Sequence, residues 1–231
     1  MNKIQYNREY ILDKVENFLR LYNLYDSYEK SYIMSVLKKG KFPDTYSYEM
    51  VREVLDELNL IPAGYNIYED YLKFIKEIHD ISKLNVMEVG GGVIPRLGER
   101  INLEQNSGTI TVYDPRLYKE DSNSKLILKR KKVNIDTNVD GIDLIIGLMP
   151  CKGAEDLLNV AIKNNIDFVL WLCEGGPHGD CYDYFEDEDE WRQCMITIAS
   201  RGVTDKQMGK LHIKMLPNYS NTFPIIYNTR N

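Results

Sequence analysis

One segment constrains this chain more than any other: Leu84-Asn-Val-Met-Glu88-Val-Gly90-Gly91-Gly92-Val-Ile-Pro95-Arg96-Leu97. An apolar run of strand length enters three glycines, and a helical pattern follows whose first turn holds Pro95, where a missing N–H costs nothing. Glycines at such a junction let a ligand approach the backbone beside the positive end of a helix. The plain alternative is a glycine turn that only packs a helix on a strand. In both cases the unit is strand, turn and helix, and it separates two textures.

Residues 1–83 carry apolar stripes at helical spacing: Ile11, Val15, Phe18 and Leu19; Tyr28, Tyr32, Ile33 and Leu37; Met50, Val51, Val54 and Leu55; Ile67, Tyr71, Phe74 and Ile75. Gly40 closes the second helix with Pro43 beyond it, and Asp44, Thr45 or Ser47 caps the third. From residue 84 onward, strand-length apolar runs alternate with helical stretches. Strands are expected over 85–89, 109–113, 132–135, 144–147 and 168–173. Helices are expected over 95–103, near 121–128, over 154–164 and over 190–200. The runs 210–216 and 224–228 flank a Pro217–Asn221 turn that joins antiparallel strands. The expected architecture is α/β: a seven-stranded, mostly parallel sheet over 84–231, preceded by a small all-helical domain over 1–83.

Composition narrows the functions open to this fold. A net charge of −6 argues against general nucleic-acid binding, which needs a basic footprint. The basic run Lys129–Lys132 reads as a solvated loop or edge protection. The first residues hold no apolar signal core and no apolar run spans a bilayer, so a cytoplasmic location without membrane contact is expected. Four cysteines without a Cys-x-x-Cys pair read as free thiols, and no metal is expected. Eleven of the 17 tyrosines fall in residues 1–83, where they wall an acceptor pocket, fill a helical core or form a homo-oligomer contact.

The glycine turn excludes one ligand class by its residues. A dinucleotide fingerprint requires a third small residue where this chain has Pro95. Glu88 placed two residues before Gly90 instead resembles the acidic-x-Gly-x-Gly pattern of class I S-adenosylmethionine-dependent methyltransferases, a Rossmann-like family. That resemblance implies S-adenosyl-L-methionine as cofactor and Glu88, Gly90, Gly91 and Gly92 around its methionine portion. It implies Asp114, with Pro115, after the second strand as the ribose acid, and Asp136 near the adenine amine. It also puts Gly147 and Leu148, within the stretch 147–151, beside the methyl group.

Nucleobase amino-methyltransferases carry Asn/Asp-Pro-Pro-Tyr/Phe at that last place, and this chain has Gly-Leu-Met-Pro, so the acceptor is unidentified and a small molecule is favoured over nucleic acid. Cys151, Asp156, Leu157, Cys173 and His178 are similar to a subgroup that includes tRNA ribose methyltransferases, although Glu174 and the Gly-Gly-Pro insertion depart from it. The turn Gly90–Pro95 is also similar to that of nicotianamine synthases, which implies aminocarboxypropyl transfer from the same cofactor as the alternative. A non-catalytic module that binds the cofactor is the third reading. Glu174 and His178, after the fifth strand, are the candidate acid/base residues.

Overall fold

A computed structural model of the protein describes residues 7–40, 45, 48–61, 64–122, 125–173, 188–217, 219 and 224–230. The first helices are α1 (Arg8–Tyr22), α2 (Ser27–Lys39), α3 (Glu49–Glu57) and α4 (Ile67–Ile78). Their limits follow local chemistry. Asn7 accepts from the Glu9 N–H at the start of α1, and Asn23 ends it in a left-handed turn with φ 46°. Asp26 and Glu29 cap α2 reciprocally. Tyr48 holds the cap position of α3 and makes no capping hydrogen bond; of the expected caps, Asp44 and Ser47 lie outside the described residues. Gly40 does end α2, in an extended conformation rather than a left-handed one, with its N–H on the Val36 carbonyl.

The remainder runs β1 (Val86–Val89), α5 (Arg96–Glu104), β2 (Ile110–Tyr113), β3 (Leu126–Lys129), β4 (Leu144–Leu148), α6 (Gly153–Asn164), β5 (Asp167–Trp171), α7 (Glu188–Asp205), β6 (Lys210–Lys214) and β7 (Ile225–Thr229). These strands form one seven-stranded sheet in the order β3-β2-β1-β4-β5-β7-β6. The five strands from β3 to β5 pair in parallel, and β7 runs antiparallel to both β5 and β6. The fold is thus Rossmann-like and of the methyltransferase type. All four residues of β1 and all five of β4 are buried, as in a sheet covered on both faces. Among the described residues no helix is long and apolar enough to cross a membrane.

The third strand corrects the sequence reading. It is Leu126–Lys129, inside the stretch expected to be helical, and residues 132–135 lie in a loop. Ile110–Tyr113 pairs residue for residue with Leu126–Lys129, and Asp121 bridges back to Leu128, so the outer edge of β2 is satisfied before residue 132.

Two buried clusters organise the packing. One joins Ile11, Phe18, Ile33, Val51 and Leu55 of α1–α3 and closes on Val93 and Ile94 after the glycine turn. The other is the sheet core, and it includes Ile67, Tyr71, Phe74 and Ile75 of α4. The division between the clusters therefore falls before α4, one helix earlier than the change of texture at residue 84. Trp171 is fully buried in the sheet core, with the Tyr71 and Tyr219 rings 5.5 and 5.0 Å away. Burying each such side chain is worth roughly 1.5–3 kcal/mol.

Candidate functional site

Neighbours β1 and β4 mark the point where strand order reverses, and open α/β sheets bind ligands beyond the carboxyl ends there. A cavity of about 790 Å³ lies at that place. Val89 and Gly90 border it from β1, Tyr113–Arg116 from β2, Pro150–Gly153 from β4 and Cys173 from β5. Lys131–Val133 and Asp156 close one side, and Tyr28, Tyr32, Tyr48, Glu49 and Met50 of the preceding helices close the other. Its size falls in the ~300–1,000 Å³ range of small-molecule sites.

The glycine turn is built by three different constraints. Gly90 has φ +80°, its N–H donates to the Tyr113 carbonyl at 2.9 Å, and it faces the cavity. A Cβ there would stand 2.6 Å from Pro150 Cβ. Gly91 packs on Val112, and a Cβ on Gly92, at φ +78°, would overlap the Glu53 carboxylate. Gly91 and Gly92 therefore serve packing, and of the three glycines only Gly90 borders the cavity. Beyond β4, Met149 and Cys151 also adopt left-handed φ values of 50° and 46°, on either side of Pro150. Such strain in residues with side chains concentrates at functional sites.

Carboxylates crowd the turn. Asp114 Oδ2 accepts from the Gly92 N–H at 2.9 Å and Oδ1 from the Arg116 N–H at 2.7 Å. Glu53 Oε1 accepts from the Val93 N–H at 2.9 Å and Oε2 from the Tyr25 hydroxyl at 2.9 Å. Glu49 pairs with Arg116 at 2.6 Å. Burial raises the Glu53 carboxyl well above its usual range, and the neighbouring Glu49 adds to the effect. Burial likewise raises Glu49, opposed by the Arg116 guanidinium. Glu88 is pushed up to about 8 by burial first, then by Asp114 and Glu49. The Cys151 thiol is held well above its ordinary value by its hydrogen bond with Cys173 and by burial, so it remains a thiol at neutral pH.

The expected site residues meet unequal fates. Gly90, Asp114 and Pro115 border the cavity. Glu88 is buried behind the turn, against Gly98, and does not line the cavity. Gly147 and Leu148 are buried behind it too, their carbonyls accepting from the Tyr71 hydroxyl and from Arg52 Nη2. Asp136 is exposed in the loop before β4 and pairs with Lys163 at 3.2 Å. Its expected place follows from the misassigned third strand, and Lys131–Val133 border the cavity instead. Glu174 and His178 lie outside the described residues.

Glu49 and Lys152 were not legible as site residues: the first reads as an ordinary first-turn acid, the second as a loop lysine. The left-handed pair around Pro150 leaves no sequence signal either, since neither Met nor Cys favours that conformation.

No protein-family model and no curated protein matches the sequence. Among solved structures, an O-methyltransferase family protein from Burkholderia thailandensis is similar at 11% identity and a TM-score of 0.46, over 96% of this chain and 70% of that one. Aeropyrum pernix fibrillarin, in complex with natively bound S-adenosyl-L-methionine, is similar at 12% identity and a TM-score of 0.44, over 71% and 76%. The nicotianamine synthase MtNAS, in complex with S-adenosylmethionine, is similar at 9% identity and a TM-score of 0.42, over 95% and 84%.

Proposed function

We propose that this chain binds S-adenosyl-L-methionine in the cavity and transfers its methyl group to a small-molecule acceptor held against the helical wall. One observation carries the reading: a bare glycine turn, an anchored acid after β2 and a strained exit from β4 border one cavity at the reversal of strand order. The residues present fit the cofactor. Gly90 offers backbone without a side chain, and Asp114, which accepts from the Gly92 and Arg116 N–H groups and from Arg116 Nη2, keeps an acceptor site for a ribose hydroxyl.

Bound there, the cofactor supplies an electrophilic methyl group. The chain's own work is then to align the acceptor, to exclude water, and to remove a proton where the acceptor carries one. Tyr28, Tyr32 and Tyr48 are assigned the first two tasks, as the wall opposite the sheet. Glu174 and His178 are assigned the third, because they follow Cys173 at the cavity edge in the sequence. The net charge of −6 supports a small molecule over nucleic acid as acceptor.

Calorimetry with S-adenosylmethionine, S-adenosylhomocysteine and NAD tests the cofactor class. Binding of NAD without the other two would overturn the proposal. Mass spectrometry of the spent cofactor then separates the alternatives: S-adenosylhomocysteine marks methyl transfer, and methylthioadenosine marks aminocarboxypropyl transfer.

A further inference from the structure

Four carboxylates stand around the glycine turn, and two of them have both oxygens hydrogen-bonded. Glu53 uses both oxygens on Val93 and Tyr25, and Asp114 uses both on backbone N–H groups. Glu88 also has an oxygen, Oε2, that accepts no hydrogen bond, but it is buried behind the turn, away from the cavity. Glu49 is the one of the four that both lines the cavity and has an oxygen without a partner. Its Oε2 pairs with Arg116 at 2.6 Å, while Oε1 is shielded from solvent and accepts no hydrogen bond. The residue lines the cavity, and a Cβ placed on Gly92 would come within 2.9 Å of that oxygen, so Oε1 lies against the glycine turn.

A shielded carboxylate oxygen without a donor is costly, and a cationic donor offsets that cost better than a neutral one. We propose that Glu49 holds an aliphatic ammonium, the α-ammonium of S-adenosylmethionine, so that α3 rather than the sheet's own Glu88 grips the amino-acid end of the cofactor. This rests on the cofactor reading above. It gives the helical part of the chain a share in cofactor binding besides its share in walling the acceptor. Arg116 has a defined place in it: by pairing with Oε2 it fixes the carboxylate, and its guanidinium opposes the burial that raises the Glu49 carboxyl.

The test is calorimetry with S-adenosylhomocysteine and its desamino analogue, which lacks only the ammonium group, on the full chain and on Glu49→Gln. The wild-type chain is expected to bind S-adenosylhomocysteine about 10- to 100-fold more tightly than the analogue, the scale of one charge-assisted hydrogen bond. Glu49→Gln is expected to lose that preference by weakening S-adenosylhomocysteine alone. Equal affinity of the wild-type chain for the two ligands would overturn the inference. So would a Glu49→Gln chain that keeps the preference, since the ammonium would then sit elsewhere. Equal weakening of both ligands would make Glu49 a support of the cavity only, and overturns it as well. Failure of the wild-type chain to bind either ligand overturns the cofactor reading itself. Should Glu49→Gln not fold, Glu49→Asp, which shortens the reach and keeps the charge, is read in the same way.

Discussion

Gly92 and Gly141 share a left-handed backbone, with φ +78° and +75°, and differ in their surroundings. A side chain at Gly92 meets the Glu53 carboxylate, which Val93 and Tyr25 hold in place, whereas nothing lies within 4 Å of a Cβ on Gly141. Gly141→Ala should therefore cost only the backbone strain, about 1 kcal/mol, and Gly92→Ala about 2–4 kcal/mol in chemical denaturation. Glu88 supplies a second prediction at this scale. Its carboxyl moves from an ordinary 4.5 to about 8 in the fold. Between those values the native state holds a proton that the unfolded chain has released, so stability falls as pH rises through that window. The raised Glu49 and Glu53 act in the same direction. Glu88→Gln should thus gain stability over the wild type progressively from pH 5 to pH 8, on the order of 4 kcal/mol at the upper end. A thermal unfolding series gives the answer, and a gain independent of pH would contradict it. Neither effect is readable in the sequence, where Glu88 is simply an acid before a glycine and Glu53 an acid on a helix.

At the scale of elements, α4 shows how a helix is assigned to one core rather than another. Its apolar stripe is like those of α1–α3, yet the Tyr71 hydroxyl donates to the carbonyls of Gly147 and Val169, at 3.0 and 2.7 Å. Those carbonyls belong to neighbouring strands, so the bond fixes the helix across β4 and β5. Tyr71→Phe should lower stability by about 1–2 kcal/mol while leaving the denaturant slope unchanged. A changed slope would mean that α4 had come away from the sheet. The strands tell a complementary story. β1, β2, β4 and β5 were legible because each is an apolar run bounded by turn residues. β3 was not, because 126–129 (Leu-Ile-Leu-Lys) and 132–135 (Lys-Val-Asn-Ile) are both only four residues long, and periodicity does not separate so short a run from a helical turn. Pairing decides between them: the run nearer β2 in sequence satisfies the open edge of that strand. The error then carried Asp136 to the wrong place, since a ligand contact inferred from a strand end moves with the strand.

For the whole molecule, the question is whether α1–α3 and the sheet behave as one body. Charged contacts join them at several points: Arg100 clasps Asp56 with both oxygens 2.9 Å from Nη2, Arg96 pairs with Glu57, Arg116 with Glu49, and Glu53 caps Val93. Val93 and Ile94, from the sheet's own glycine turn, complete the helical cluster. Separating the two would expose both an apolar surface and several unpaired charges. Unfolding followed by the fluorescence of Trp171 and Trp191, both in the sheet core, should therefore coincide with unfolding followed by the hydrogen exchange of α1–α3. An earlier transition in the helices would show that they are a separable unit. The sequence by itself determined the class of fold, the position of the glycine turn and the four-helix preface, because periodicity, apolar runs and turn residues are local properties. Gly90 and Asp114, which border the cavity, were legible as candidates too, since both sit within a residue of a strand end. Only the tertiary structure decided which glycine faces the cavity and which acids are buried behind it, and it alone brought Glu49 to that cavity. Those outcomes depend on how α3 packs over the turn, an arrangement between segments some forty residues apart that no local pattern encodes.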